Sequence, residues 1–495
     1  MNNKKFRNHI SIIIENIGGS FIFIMTLLFG NLINNIKDID ISNINYKVHL
    51  NEIIISFLVL FIICTIFIIY QINIWYKTFI YIDSNSIVIE KNTINKKKNV
   101  IGISNISNVN TEQNLFEMLI GTCKVKLDTN TLSTADKTDL KIVLKKDKAE
   151  EFSNYILSLI NKDNIKKEEA IDINKDRYDI IASNKDLIKN GLYSINLISI
   201  LILIVSFIIT VNTSINNLIN KDIGKSILDI ILNSIISFGV FVSAFWSLLK
   251  GFIKYYDFSI KRRDDKLYLR YGLLKKVKYT IPVDKINGIK INQTLIARLK
   301  KRYIVEIINI GIGDEKGEPQ STILLYSDKE KIKKDLELIL PEFSRCIDLN
   351  IEKQPKKVWY VWSFPFSIYL SVACLYLIFI HDFINEILLI SLFIVLAIIF
   401  LLILSAFLNY KTDGIIVDDE YLGVSKGFFG RSFIFIKYYK VQYIDFIQNP
   451  IAYHLNIQKG KISILASALN RFHTLPYFDI KYSDNIKEKL LKSNK

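Results

Sequence analysis

Four basic residues lie close together in mid-chain: Lys254, Lys261, Arg262 and Arg263. Their chemistry is anion recognition. Beside a bilayer, each such residue adds about 1 kcal/mol of attraction to anionic headgroups. They also follow directly on an apolar run, where basic residues mark the inner end of a membrane span. Both readings stand. Lys275, Lys276 and Lys278 add further charge, on a hairpin whose counterpart near Gly427 carries a single Arg. Three glutamines, Gln113, Gln293 and Gln448, recur at matching places. They are either contacts for a shared ligand or side-chain amides that tie a loop's backbone after a fourth strand, and the second is the plainer chemistry. Lys285 and Lys440 likewise recur, as phosphate contacts or as solvated strand residues. No Ser/His/Asp, Cys/His or HExxH arrangement stands out. Neither Gly18-Gly19 nor Gly311-Ile312-Gly313 reads as a phosphate loop opening a helix. Five scattered His and four Cys without a CxxC argue against a metal centre or a disulfide framework. The expectation is a non-enzymatic protein with no cofactor and no metal.

The recurrent residues belong to a long repeat. Gly272–Leu299 aligns without a gap on Gly427–His454, at an offset of 155. Gly272/Gly427, Ile281/Ile436, Lys285/Lys440, Ile289/Ile444, Gln293/Gln448, Ile296/Ile451 and Ala297/Ala452 are identical pairs. A weaker copy, Asn92–Leu119, lies 180 residues before the second and keeps Ile101, Ile106, Gln113, Leu115 and Leu119. A period this long is a repeated domain, not a solenoid unit. Two apolar runs precede each copy.

The totals agree. The chain has 495 residues, half of them hydrophobic, and a formal net charge of +16. Its mean hydropathy is positive despite 64 Lys and Arg, so charge and apolar residues are segregated. Basic residues flanking apolar runs account for the net charge without nucleic acid. Runs near 12–33, 53–75, 192–211, 227–249, 358–380 and 384–408 each approach the roughly 20 residues that cross a bilayer. Lys4, Lys5 and Arg7 precede the first run, the basic cluster follows the fourth, and Lys353, Lys356 and Lys357 precede the fifth. This asymmetry predicts six spans with both termini in the cytoplasm. Trp75, Trp246, Trp359 and Trp362 fall at the inner ends. No span holds a central ionisable residue; Glu15 and Asn73 lie near span ends.

The remaining segments read as β-rich domains. Ile80–Ile82, Ile87–Ile89, Val125–Leu127 and Leu140–Leu144 are strands of the first, closed by a helix over Ala149–Ile160. Asn161–Lys189 is a charged connector. In the second domain Leu267–Tyr271, the alternating Val277, Tyr279 and Ile281, Tyr303–Ile310 and Thr322–Tyr326 are strands, and Lys329–Leu340 is the closing helix. In the third, Ile415–Val417 and Tyr421–Ser425 flank a turn, and a short, weak helix ends the chain near Ser483–Leu491.

A two-span hairpin followed by a β-rich domain with the core G-(aromatic/Leu)-(aromatic/Leu), I-x3-K-(I/V) and Q-(N/T)-(L/P) resembles the bacterial pleckstrin-homology domain of the YdbS/YdbT type. The residues are Gly272 and Gly427, Ile281-x3-Lys285-Ile286 and Ile436-x3-Lys440-Val441, and Gln293-Thr294-Leu295 and Gln448-Asn449-Pro450. Three such units are similar to YdbT-like membrane proteins. The first departs most, with Asn92 for Gly272 and Asn105 for Lys285. The resemblance implies a bent, seven-stranded antiparallel barrel closed by a C-terminal helix, and supplies no catalytic residue. The expected fold class is membrane α + β. Transmembrane hairpins would occupy 1–76, 185–250 and 355–408, with pleckstrin-like domains at 77–165, 251–345 and 409–492. The expected function is that of a non-enzymatic, multi-pass protein of the bacterial cell membrane. Its cytoplasmic domains would contact a protein or the inner leaflet, in support of envelope integrity. A membrane protein partner of the same family and the lipid bilayer are the expected partners. A transport or lipid-handling component is the alternative.

Overall fold

Alternation of apolar and charged residues sets the strands. Along Lys275–Pro282, Val277, Tyr279 and Ile281 are buried while Lys275, Lys276 and Lys278 face water. The computed structural model describes residues 5–18, 46–83, 85–93, 95–129, 140–160, 178–195, single residues and pairs between 204 and 246, 249–309, 322–381, 385–466 and 470–493. One order of elements recurs three times within them.

In the first repeat, helix α1 (Tyr46–Tyr76) leads into β1 (Thr78–Asp83), β2 (Ser86–Lys91), β3 (Lys97–Gly102) and β4 (Ile106–Asn114). A short helix α2 (Leu115–Ile120), β5 (Thr122–Thr129), β6 (Leu140–Lys145) and a closing helix α3 (Lys146–Ile160) follow. The second repeat adds β7 (Ile180–Ile181) and α4 (Asn184–Tyr193), then β8 (Ser259–Arg263), β9 (Lys266–Tyr271), β10 (Lys275–Pro282), β11 (Ile286–Gln293), α5 (Leu295–Leu299), β12 (Arg302–Asn309), β13 (Thr322–Asp328) and α6 (Lys329–Ile339). The third runs β14 (Glu352–Lys353), α7 (Val358–His381), α8 (Asn385–Thr412), β15 (Gly414–Val417), β16 (Tyr421–Lys426), β17 (Arg431–Lys437) and β18 (Val441–Ile447). It closes with α9 (Pro450–His454), β19 (Ile457–Ile464), β20 (Phe472–Asp479) and α10 (Lys481–Ser493).

Two compact units form. The first takes Met1–Asn130, Thr138–Ile171 and the segment Lys275–Lys278. Here β1, β2 and β3 make one antiparallel sheet, and β4, β5 and β6 another. Lys275–Lys278 pairs antiparallel with 111–114 on β4. Ile80, Ile82, Val125, Leu127, Ile142 and the α3 residues Phe152 and Ile156 form the core. The α3 residues sit four apart, on one helix face. Phe6 bridges Ile80 and meets Phe152 edge-on at 5.8 Å. The indole of Trp75 donates to the Asn8 carbonyl at 2.8 Å, which fixes the N-terminal segment.

The second unit takes Thr131–Lys137, Asp172–Leu274 and Tyr279–Lys495. Its main sheet has seven strands in the order β13-β12-β11-β17-β16-β15-β14. It joins two repeats: β17 of the third lies against β11 of the second, from Gly288↔Ile436 to Gln293↔Arg431. The strands β18, β19 and β20 form a separate sheet with β18 on its edge. Ile308, Leu422, Val424, Ile436, Ile462 and Ile486 share one core. The implied self-contained barrel is therefore corrected in this unit. Strand β17 pairs with the preceding repeat and not with β18, because Gly288 lets the Phe435 backbone approach. A Cβ at Gly288 would lie 2.3 Å from the Phe435 carbonyl oxygen.

The three membrane-crossing hairpins are also corrected. Among the described residues no helix is long and apolar enough to cross a membrane. The described side chains of α1, α7 and α8 include Gln71 and Asn73, Ser363, Pro365 and Ser367, and Ser405 and Asn409. A spanning helix needs roughly 20 predominantly apolar residues, and the described residues of these helices do not supply such a stretch. The multi-pass topology, with both termini on one side, has no support from these helices. Most of the first hairpin's leading run, residues 19–45, most of 196–248 and the Gly311-Ile312-Gly313 turn lie outside the described residues. The charged connector is corrected in part, since β7 and α4 lie within or across its end. The final helix is 13 residues long, not short, with Ile486 buried.

Candidate functional site

The recurrent glutamines lie in a local device built three times. Each precedes an N-cap residue: Asn114, Thr294 or Asn449. The cap side chain accepts from the backbone N–H of Glu117 at 2.9 Å, Ala297 at 3.2 Å or Ala452 at 2.7 Å. One short helical turn later the chain takes a positive φ, at Gly121 (75°), Lys301 (50°) or Asn456 (52°). The glutamine Nε2 then donates to the next carbonyl: Gln113 to Thr122 at 2.7 Å, Gln293 to Arg302 at 3.0 Å and Gln448 to Ile457 at 2.9 Å. The amide thus ties both ends of a helix too short to hold itself. Cap residues and positive-φ positions are the signal that the glutamines alone did not reveal.

Gly272 and Gly427 are required for different reasons. Gly272 takes φ 111° in the turn before β10. A Cβ at Gly427 would lie 2.2 Å from the Gly430 carbonyl oxygen. Lys440 reaches across repeats to donate to the Asp284 carbonyl at 2.6 Å, while Lys285 pairs with its neighbour Asp284 at 3.6 Å.

Lys261, Arg262 and Arg263 lie on β8 of the second unit and Lys254 in the helical segment before it, and all four are engaged. Arg262 grips Glu342 with both nitrogens, at 2.9 and 2.8 Å. Burial pushes the Glu342 carboxyl up, but the hydrogen bonds from Arg262 and a backbone N–H, together with the Arg262 and Lys437 charges, leave it below the ordinary value. Arg263 binds Asp179 at 3.0 Å. Lys261 stands over the Tyr178 and Tyr268 rings, and Lys254 over Tyr255 at 5.3 Å. Each must leave a partner to meet a phosphate.

In the first unit, Lys126 meets Glu112 at 2.6 Å and Lys275 meets it from the paired segment. Burial raises the Glu112 carboxyl, yet these two cations hold it below its usual range. Glu15 does not reach outward: it pairs with Lys124 at 2.9 Å, and Lys124 also lies 3.5 Å from Glu117. Glu117 is fully buried, and desolvation pushes it up to about 7.

A cavity of about 180 Å³ beside β11 and β17 is lined by Ile291, Tyr303, Cys346, Ile351 and Phe433, with Lys329. Burial drives the Cys346 thiol above its usual range, which disfavours the thiolate. Among the described residues no group of His, Cys, Asp and Glu is placed to hold a metal.

Among the described residues β18 and β3 are terminal strands of their sheets. In β11, Ile289, Ile291 and Gln293 are buried beside β17. The corresponding edge strand β18 exposes Tyr443 by 46% and Ile447 by 45%. In β3, Lys97, Lys98, Asn99 and Val100 are exposed, where the β17 residues that match the last two, Ile434 and Phe435, are buried.

Repeated six-strand arrangements, each with a closing helix and with its recurrent glutamines spent on structure, define a repeated β-rich domain. The chain belongs to the bacterial pleckstrin-homology domain family: the family model "Bacterial PH domain" matches residues 32–160, 196–338 and 371–494. The resemblance to YdbT-like proteins is borne out as well. The chain is 21% identical over 318 residues to the "UPF0699 transmembrane protein YdbT" of Bacillus subtilis (strain 168), covering 60% of this chain and 63% of that protein. The chain therefore matches less than two thirds of that relative's length. No solved structure matches it significantly.

Proposed function

We propose that the chain is a non-enzymatic, membrane-associated scaffold. Its pleckstrin-like repeats recruit protein on the cytoplasmic face of a bacterial cell membrane, in support of the envelope. The observation that carries the membrane part is the apolar surface left uncovered along the long helices. Phe61, Ile66 and Ile69 on α1, Phe364 on α7, and Phe400 and Leu401 on α8 are all more than half exposed. Apolar patches of this kind belong against lipid or protein. The name of the Bacillus relative, a transmembrane protein, supports the same reading. Protein is favoured over anionic lipid as the partner because Arg262 and Arg263 are already committed to Glu342 and Asp179.

Fractionation of native membranes tests the first part. The chain should stay in the pellet through high salt and leave it with detergent; release by salt alone would refute the reading. Vesicles test the second. Replacing Lys261, Arg262 and Arg263 by Gln should leave association with anionic vesicles unchanged. A loss confined to anionic vesicles would instead make the basic cluster a lipid contact.

A further inference from the structure

The repeat uses one strand pairing twice. In the second unit, β17 lies on β11 with Arg431 opposite Gln293 and Ser432 opposite Asn292. In the first, Lys276 lies opposite Gln113 and Val277 opposite Glu112. Subtracting the repeat offsets of 155 and 180 carries Arg431 onto Lys276 and Gln293 onto Gln113. The two ladders therefore share a register. In each, the third strand of one repeat covers the fourth strand of the repeat before it.

Applied to three repeats, this rule leaves one strand of each kind without its neighbour. The fourth strand of the last repeat is β18, and the third strand of the first is β3. Both are terminal in their sheets. Natural edges are commonly guarded by charge, Lys above all. Strand β18 has no basic residue, carries Asp445 as its one charge, and exposes Tyr443 and Ile447. Strand β3 carries Lys97 and Lys98 beside Val100, which is 58% exposed, so its lysines guard it against a second basic edge but match the charge of Asp445.

We propose that β18 of one copy of this chain pairs antiparallel with β3 of a second copy, in the register used internally. Carrying the β11·β17 ladder across places Lys97 opposite Ile447, Asn99 opposite Asp445 and Ile101 opposite Tyr443. Asp445 then has Lys97 diagonally across from it on the same face, and the exposed apolar side chains are covered. Symmetric pairings are disfavoured by charge. Two β3 strands would bring lysines together, and two β18 strands their aspartates. The contact is head-to-tail, so each added copy leaves the same two edges free. It closes into a ring or grows as a row along the membrane. The inference rests on the scaffold reading and names the partner.

Full-length chains carrying Asn99→Cys and Asp445→Cys, with different tags, test it in detergent and in native membranes. Cys64 and Cys374 are replaced by Ser, while the buried Cys123 and Cys346 stay. Directly opposed residues in an antiparallel ladder have Cα atoms about 4.5–5.5 Å apart, within disulfide reach. Mild oxidation should give a product bearing both tags. Moving the cysteine one residue, Ile444→Cys, turns it to the other face and should abolish that product. Ile447→Lys should abolish it too, with unchanged circular dichroism because Ile447 is exposed. A mixed sample that yields no doubly tagged product, or in which Asp445→Cys chains join only each other, overturns the proposal. If Asp445→Cys in native membranes is captured by a different protein, the second-copy inference falls and the scaffold reading stands. If it joins nothing at all, both fall.

Discussion

Strands β11 and β18 are the same strand of the same repeat, and they live in different environments. Both follow a short 3-10 turn, both lead to a glutamine, and both run into a capped helical turn. Beside β17, β11 buries Ile289, Ile291 and Gln293. At its open edge, β18 leaves Gln448 exposed and Ile444 and Phe446 only half-buried. Burial here comes from the neighbouring strand, not from the residues of the strand itself. Where a neighbour is guaranteed, the chain can use Gly288; at the matching place in β18 it carries Tyr443.

The largest effect should come from Gly288→Val. Its Cβ would meet the Phe435 carbonyl oxygen and backbone, which cannot yield as a side chain would. A loss of about 3 kcal/mol is expected. The matching Tyr443→Val should change the stability of the single chain by no more than about 0.5 kcal/mol. Hydrogen exchange along both strands under denaturant compares them. Equal losses would mean that β17 does not make the difference.

Gln293→Ala and Gln448→Ala come next. Each leaves a carbonyl without its side-chain donor, but only Gln293 is buried, so water can replace the bond at Gln448 and not at Gln293. Losses of about 1–2 and about 0.5 kcal/mol are expected in unfolding titrations. The reverse order would contradict the protection assigned to β17.

The caps come third. Thr294→Ala and Asn449→Ala each remove one acceptor from an N-terminal turn, at about 1 kcal/mol apiece. Thr294→Ala also removes the hydroxyl that donates to the Tyr193 carbonyl, so it should be the more costly in the same titrations, and the reverse order would contradict that bond.

The last difference is a pH slope. Glu117 occupies the place of Ala297 and Ala452, so only the first repeat carries a buried carboxyl there. Its folded value is raised from 4.5 to about 7, with burial the main cause. Between those values the folded form keeps a proton that the unfolded form has lost. Stability of the first unit should therefore fall as pH rises through that window. Glu117→Gln, which preserves the cap geometry, should flatten the slope in exchange measurements on β5. An unchanged slope would assign it to another group.

Much of this fold was legible. Ile80–Ile82, Leu140–Leu144, Thr322–Tyr326 and Lys329–Leu340 lie where alternation and helical spacing put them, because those periods are local. The repeat was legible too, and with it the equivalence of the three glutamines. The apolar runs were legible as letters, but whether a described helix is long and apolar enough to cross a membrane was not. The pairing of Arg262 with Glu342 and of Glu15 with Lys124 could not be read, since each joins residues distant in the chain.

Short-range pattern was enough to specify the repeat, its strands, its closing helices and the side chains of the glutamine device. Which strand lies beside which is a property of the folded chain. Hydrogen bonds along a strand edge are made by backbone common to every residue, so β17 carries no letter that says β11 rather than β18. That choice depends on close approach at Gly288 and on the surfaces buried together, and among the described residues it leaves β3 and β18 without the inter-repeat neighbour that β4, β10, β11 and β17 have.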